Sequence, residues 1–430
     1  MADHGARTHA AAGQPPRWRA QPVRHRRRRR HPAAAAQSAL TKIATFIVLL
    51  LVAGLYRCGG GGGGGTGSYL VGAHYYVWYP SNFAQGYLRS ALRPAQTPAL
   101  GEYSSSDPAV AERHIALAVA HGIDFFSVDW WPTRPAQNAA IDAGLLRASN
   151  IGQIRFCIFY NSFGLGERPG EGIVFDSGTV SRFVSDVVTI ARRYFTNPSY
   201  LKIDGRPVLI LYLTREIRGL FPQAMNEMRQ ALAAEGTDPF VIGDEIYWAA
   251  IEANEDPSAP GRVVGEPQVS RARLFDALTA YNLYAAERPQ DRGYGADSAF
   301  IGDSGALYRQ YADATGVPLV PGVIPGYNDR GTRLSVDHFA IPRRFAADRP
   351  EGSFFAEELQ RIGKPFADGG LRVILVTSWN EWNEDTAIEP TAPAPATADD
   401  RSGAQRITQG FPYEGYDSTY LDLVRDRLGG

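Results

Sequence analysis

From Thr66 onward, runs rich in β-branched and aromatic residues alternate with longer segments of helical periodicity, which restricts the chain to folds built on a parallel sheet. The strand-like runs are 71–78, 123–131, 154–161, 207–213, 240–247, 278–284, 318–324 and 372–379. Helical patterns fall at 107–121, 137–149, 179–195, 222–234, 305–314 and 351–367. The segment 256–271 reads as loop, and 421–428 is a short final helix. Asp107 followed by Pro108, with Gly122 at the far end, punctuates the first helix with an N-cap, an N1 proline and a C-terminal glycine. Eight strand–helix units favour a (β/α)8 TIM-like barrel over an open sheet. Neither a G-x-G-x-x-G nor a G-x-x-x-x-G-K pattern follows the first strand, so a nucleotide fold has no support.

The last strand runs into Ser378-Trp379-Asn380-Glu381-Trp382-Asn383-Glu384, with Glu389 shortly after. A parallel barrel carries its chemistry at the carboxyl ends of its strands, which is where these residues emerge. On an extended strand Glu381 and Glu384 would face opposite ways, but a turn or helical segment brings the same spacing to one side. Two adjacent carboxyls cannot both ionise cheaply, so one keeps a proton as an acid while the other serves as a base. Trp379 and Trp382 beside them offer indole faces of the kind that pack on a pyranose ring.

Other strand ends carry similar residues: Tyr76, Trp78 and Tyr79; Asp129, Trp130 and Trp131; Tyr160 and Asn161; Asp244; Tyr281; and Tyr327. Parallel strands would bring these, together with Asn380 and Glu389, around one sugar-binding mouth, with Tyr76, Trp130, Tyr160, Tyr327 and Glu381 in a common cleft. Asp129 reads equally as a third acid or as a loop cap. His74 reads as a hydrogen-bonded core histidine. The acids Glu381, Glu384, Asp385 and Glu389 match no known metal-ligand loop, so neither a metal nor a cofactor is expected. Cys58 and Cys157 are the only cysteines, which leaves no disulfide framework, and Cys157 within an apolar run reads as a buried thiol.

The N-terminal part is a separate entity. Residues 1–58 hold eleven Lys and Arg against one acid, Asp3, so the remainder of this nearly neutral chain is acidic. Residues 1–40 read as a basic disordered segment, 41–58 as a signal anchor or signal-peptide core, 59–67 as a glycine-rich linker and 68–430 as the barrel. The basic flank places the barrel on the far side of the membrane, anchored or secreted. The apolar run next to the arginines argues against nucleic acid as a partner. Tyr56 and Arg57 are not the small residues that lipidation of Cys58 requires.

Five segments together resemble glycoside hydrolase family 99, the endo-α-1,2-mannosidase type, and its family-99-like relatives. They are Pro98-Ala-Leu-Gly-Glu-Tyr-Ser-Ser-Ser-Asp-Pro108, Ser127-Val-Asp-Trp-Trp131, Pro198-Ser-Tyr-Leu-Lys-Ile-Asp-Gly-Arg-Pro-Val208, Pro321-Gly-Val-Ile-Pro-Gly-Tyr327 and Ser378 to Glu384. The resemblance runs in order from about Gly72 to Pro390 and implies a (β/α)8 barrel, no metal requirement, and retaining cleavage within α-mannosyl chains of an oligosaccharide or polysaccharide. It further implies that Glu381 deprotonates the sugar's own 2-hydroxyl to form a 1,2-anhydro intermediate, and that Glu384 protonates the leaving oxygen and then activates water. Such substrate-assisted hydrolases stand outside the usual two-carboxylate scheme. The family's familiar form is E-W-H-E-G-T or E-W-G-E-G-T; here Asn383 occupies the variable position and Asp385 that of the glycine, which restricts the backbone and adds a negative charge beside the pair. A non-hydrolytic carbohydrate-binding or glycan-assembly protein, or a hydrolase of another α-glycan, is the competing reading.

Truncation to Thr66 should yield a soluble domain as stable to denaturant as the full chain, because a glycine run buries no apolar surface. A lower unfolding midpoint for the truncated protein would show that the boundary is misplaced.

Overall fold

The computed structural model describes residues 68–168, 172–248, 268–285, 293, 300–334 and 339–429. All of these belong to the unit Thr66–Gly430. The expected basic segment, anchor and linker lie outside the described residues, as does most of 256–271. Among the described residues no helix is long and apolar enough to cross a membrane.

All eight expected strand regions contain strands. β1 (Leu70–Tyr75), β2 (Phe125–Trp130), β3 (Arg155–Tyr160), β4 (Arg206–Leu211), β5 (Phe240–Asp244) and β6 (Ala277–Thr279) pair in sequence order, each parallel to the next. The seventh run is divided into β7 (Leu319–Val320), which pairs with β6, and β8 (Gly322–Val323), which pairs with β9 (Val373–Val376). β9 then pairs with β1. The result is a nearly closed parallel sheet of nine strands, barrel-like and consistent with a TIM barrel, whose two ends meet across Pro321. Proline cannot donate to a ladder, which accounts for the break, but its carbonyl still accepts from Leu375 N at 2.9 Å.

Helices cover the outside. α1 (Pro108–Ala120) starts with the Asp107 carboxylate accepting from Ala109 N at 2.9 Å, and Gly122 beyond its end has φ +79°. α2 is Pro135–Ala143, shorter than the expected 137–149 because Gly144 breaks it; a Cβ at Gly144 would lie 2.0 Å from the Ser105 carbonyl. α3 (Ser177–Ile190), α4 (Phe221–Ala234) and α5 (Gly302–Thr315) match the expected segments closely. The 351–367 segment is helical in three pieces, with a π turn at Leu359–Gly363. The last helix, α8 if those pieces are α6 (Ser353–Glu358) and α7 (Lys364–Asp368), is Thr419–Leu428.

Strand alternation separates an inner layer from an outer one. Phe159 meets His74 and Tyr281 across the interior, with ring centroids 4.5 and 5.4 Å away. Its neighbour Tyr160 points the other way, donating to Asp186 of α3 at 2.9 Å and meeting Phe183 edge-on. Cys157 is a buried free thiol, as expected. Glycines admit the tightest inner contacts: a Cβ at Gly72 would lie 2.2 Å from the Phe125 ring, and one at Gly322 would lie 2.1 Å from the Ala280 carbonyl.

Gly322→Ala should therefore lower the unfolding free energy by about 3 kcal/mol, the upper part of the usual range for overpacking. Denaturant unfolding measures this, and a loss of under about 0.5 kcal/mol would show that the strand junction yields easily.

Candidate active site

Past β9 the chain makes a single 3-10 turn, Trp382–Glu384. Glu381 caps it, its Oε1 accepting from Asn383 N at 3.0 Å, while Glu381 N donates to Ser378 Oγ at 2.7 Å. The turn brings Glu384 close enough for its charge to act on Glu381. Asp385 closes it in the left-handed region, at φ 50° and ψ 36°. Asn380 ties the entry to β1, accepting from Tyr76 N at 2.8 Å and donating to Tyr76 O at 3.0 Å. Tyr79 Oη donates to the Asn380 carbonyl at 2.5 Å.

The two carboxyls have unlike surroundings. Glu381 is 3% exposed, and burial first, then the charge of Glu384, holds its carboxyl well above the usual range. Glu384 accepts from Tyr284 Oη at 2.8 Å through Oε2, and from Arg333 Nη1 and Nη2 at 3.3 Å through Oε1. Arg333 is itself held by Asp329, whose Oδ2 accepts from Nη1 at 2.9 Å. Burial pushes Asp129 up to about 7, against hydrogen bonds from Asn161 and Trp131, and its charge also raises Glu381. Tyr76, Tyr212, Tyr281, Tyr284 and Tyr327 are held well above the usual phenol range, by burial first, and so remain neutral. Burial and the neighbouring charge therefore favour a proton on Glu381 in the absence of substrate, whereas the resemblance implies Glu384 as the acid.

The expected sugar-contacting residues divide into three groups. Tyr76, Trp78, Asp129, Asn161 and Tyr327 gather near the pair. Trp78 stacks on Tyr76 at 4.3 Å, and the Tyr76 hydroxyl pairs with that of Tyr281. Asp129 accepts from Asn161 at 3.1 Å and from Trp131 Nε1 at 2.6 Å, and Tyr327 lies 4.5 Å from the Tyr284 ring. Trp131 follows the β2 end, with Arg134 3.9 Å over its ring.

A second group holds the scaffold. Trp379 and Trp382 are 0% and 1% exposed, so neither presents an indole face to a sugar. Tyr79 and Asn380 clamp the loop. Glu389 accepts from Tyr103 at 2.7 Å, Trp382 Nε1 at 3.0 Å and His114 at 3.0 Å, behind the turn. Asp244 sits at a strand end but is paired with Arg215 at 2.5 Å. His74 is a core histidine between Phe159 and Tyr281, pushed down to about 3 by burial.

The third group corrects the common-cleft expectation. Trp130 stacks on Tyr160 at 5.5 Å in the helix-facing layer, because consecutive strand residues cannot both face the mouth and Asp129 already does. The charge of Asp385 is matched by Arg89 at 2.8 Å and Arg343 at 3.0 Å rather than directed at the pair. With Asp385 and Glu389 so engaged, the four acids do not converge, and among the described residues no group of three His, Cys, Asp or Glu is placed to hold a metal.

Tyr281 stands at the end of the sixth strand, in phase with Thr279, among the strand-end residues expected around the mouth, whereas Arg333 and Tyr284 were not expected in the site. Tyr284 lies in the 3-10 turn Leu283–Ala285 beyond that strand, out of the alternation. Arg333 stands in a loop without periodicity, and nothing local marks it.

Residues 72–395 match the family model described as Glycosyltransferase WbsX. The chain is 23% identical over 310 residues to "Uncharacterized protein WxcX" of Xanthomonas campestris pv. campestris (strain B100), covering 68% of this chain and 40% of that protein. It is 22% identical over 334 residues to the human "Glycoprotein endo-alpha-1,2-mannosidase-like protein", covering 76% of this chain and 62% of that protein. The chain therefore spans about 40% of the length of the WxcX relatives it matches. Among solved structures it is similar to a "Glycoside hydrolase-like protein" (TM-score 0.58, 18% identity, 84% of this chain and 94% of that one). It is also similar to the GH99 endo-alpha-mannosidase from Bacteroides thetaiotaomicron complexed with bis-tris-propane (TM-score 0.54, 20% identity, 83% and 95%). At these identities the structural likeness shows the fold.

Because Asp129 is raised in the folded state, from 3.8 to about 7, it favours folding fully below pH 3.8 and progressively less as pH rises to about 7. Asp129→Asn should consequently flatten the decline of unfolding free energy between about pH 4 and about pH 7. Parallel slopes for wild type and variant would contradict the raised value.

Proposed function

We propose that this chain, which belongs to the family described as Glycosyltransferase WbsX and is family-99-like, is a glycosidase-type enzyme that cleaves α-mannosidic linkages within a glycan. The observation that carries the reading is the Glu381–Glu384 pair at the 3-10 turn past the carboxyl end of the last strand, where burial and the charge of Glu384 raise the Glu381 carboxyl. In the first step a carboxylate takes the 2-hydroxyl proton, O2 bonds to C1, the C1 to leaving-oxygen bond breaks, and the partner carboxyl gives that oxygen its proton. In the second, water bonds to C1 and yields a proton to the partner carboxylate, the C1–O2 bond breaks, and O2 takes back its proton from the first carboxyl. Two displacements at C1 give retention. Each step uses one acid and one base, the stoichiometry of a pair with a single proton.

With Glu381 as base and Glu384 as acid, the proton has to move from Glu381 to Glu384 as substrate enters. Sugar hydroxyls that displace Arg333 from Glu384 Oε1 would permit that transfer. The neutral tyrosines and Asp129 supply hydrogen bonds to the sugar ring. We further propose that segment 1–58 anchors or exports the domain, so that it meets its glycan outside the cytoplasm.

The family's description favours a second reading on the same pair, in which a sugar hydroxyl instead of water opens the 1,2-anhydro intermediate and extends a glycan. Incubation with α-mannan separates the two. Hydrolysis releases reducing ends of retained anomeric configuration, transfer gives longer chains, and a binding protein gives neither.

Glu381→Gln should lower kcat/KM at least about 100-fold on every substrate, whereas Glu384→Gln should spare an aryl mannoside, whose leaving group needs little protonation. A mannoside lacking the 2-hydroxyl should bind without turnover. Its efficient retaining hydrolysis would show that Glu381 is a nucleophile instead.

A further inference from the structure

The residue that ends the catalytic turn is where this chain leaves the family pattern. Glycine there would supply the left-handed backbone by itself; Asp385 adopts it at φ 50° with its side chain 1% exposed. The carboxylate lies between two guanidiniums, Arg89 Nε at 2.8 Å from Oδ1 and Arg343 Nε at 3.0 Å from Oδ2. Arg343 Nη2 also donates to the carbonyls of Asp385 and Ala387, at 2.7 and 2.8 Å, so a single guanidinium grips the side chain and the backbone on its far side.

Neither arginine is left to pivot. Arg89, on the short helix Leu88–Ala91, donates to Gln96 at 2.6 Å and to the Glu414 carbonyl at 2.8 Å. The Tyr416 ring lies 4.6 Å from Arg89 and 5.0 Å from Arg343. Glu351, 3.6 Å from Arg89 and accepting from Tyr420 at 2.8 Å, sets a second carboxyl beside the two guanidiniums, which oppose the upward pull of burial on it. On the other side of the turn, the Glu384 carbonyl accepts from Asn328 N at 2.9 Å.

Ion pairs this deeply buried add little net stability, because desolvation offsets the attraction, but they fix direction. We infer that Asp385, Arg89 and Arg343 are a positioning clamp that fixes the peptide after Glu384 and so aims the Glu384 carboxyl at the reacting bond. Asp385 touches no sugar; it acts through Glu384. The functional part of the inference rests on the proposed role of Glu384 as a reacting acid.

The test combines kinetics with amide hydrogen exchange on the whole protein. Asp385→Asn keeps shape and tolerance of the left-handed region but removes the charge. It should lower kcat about 10- to 100-fold with KM little changed, and speed exchange at residues 382–386 while leaving β9 unaffected. If that variant fails to fold, the double variant Asp385→Gly with Arg343→Met keeps one arginine matched to Glu351 and should show the same two effects. Wild-type exchange at 382–386 in a folded variant would overturn the clamp whatever the activity. Faster exchange with undiminished kcat would overturn its role in positioning. A wild-type protein that cleaves no mannoside, with exchange still responding as stated, would overturn the functional reading and leave the clamp supported.

Discussion

Two carboxyl groups on one 3-10 turn, buried at a barrel mouth, can carry only one negative charge cheaply, and the surroundings of the site follow from that constraint. Tyr284 and Arg333 donate to Glu384, while burial and the Glu384 charge raise the Glu381 carboxyl well above its usual range. A ring of neutral phenols supplies donors without adding charge. Asp129, pushed up to about 7 by burial, can hold or release a proton near neutrality. The site therefore favours a proton on the buried Glu381, the kind of proton that the proposed cleavage consumes and returns.

The turn needs support because so short an element has little stability of its own. Asn380 stitches it to β1, Glu389 gathers Trp382, Tyr103 and His114 beneath it, and the Asp385 ion pairs seal its end. These partners come from segments scattered between Tyr76 and Tyr420. Direct pairing of the first strand with the last lets residues 304 apart in sequence hydrogen-bond.

Much of this was legible in the residues. Strand positions follow from apolar runs that must be buried on both faces, and the helix beginning at Pro108 follows from its cap. The Glu381–Glu384 pair follows from the i, i+3 spacing once a turn is assumed. Less legible was which strand-end residues face inward. Asp129 and Trp130 are adjacent, as are Tyr160 and Asn161, so only one of each can face the mouth, and composition cannot say which without the register. The tryptophans of the motif were misread for a related reason. An indole next to a carboxylate suits either a sugar platform or a packed loop, and only their burial at 0% and 1% decides. Arg333 depends on a tertiary contact, which no local pattern encodes.

The central claim is that burial and the neighbouring Glu384 hold the Glu381 carboxyl well above its usual range and so favour a proton there without substrate. Carboxyl carbon NMR of glutamate-labelled protein, with Glu381→Gln and Glu384→Gln for assignment, measures this directly. The account predicts that Glu381 titrates well above the ordinary glutamate range, with a titration that responds to removal of Glu384. A Glu381 signal already ionised at about pH 5, unchanged by Glu384→Gln, would contradict it.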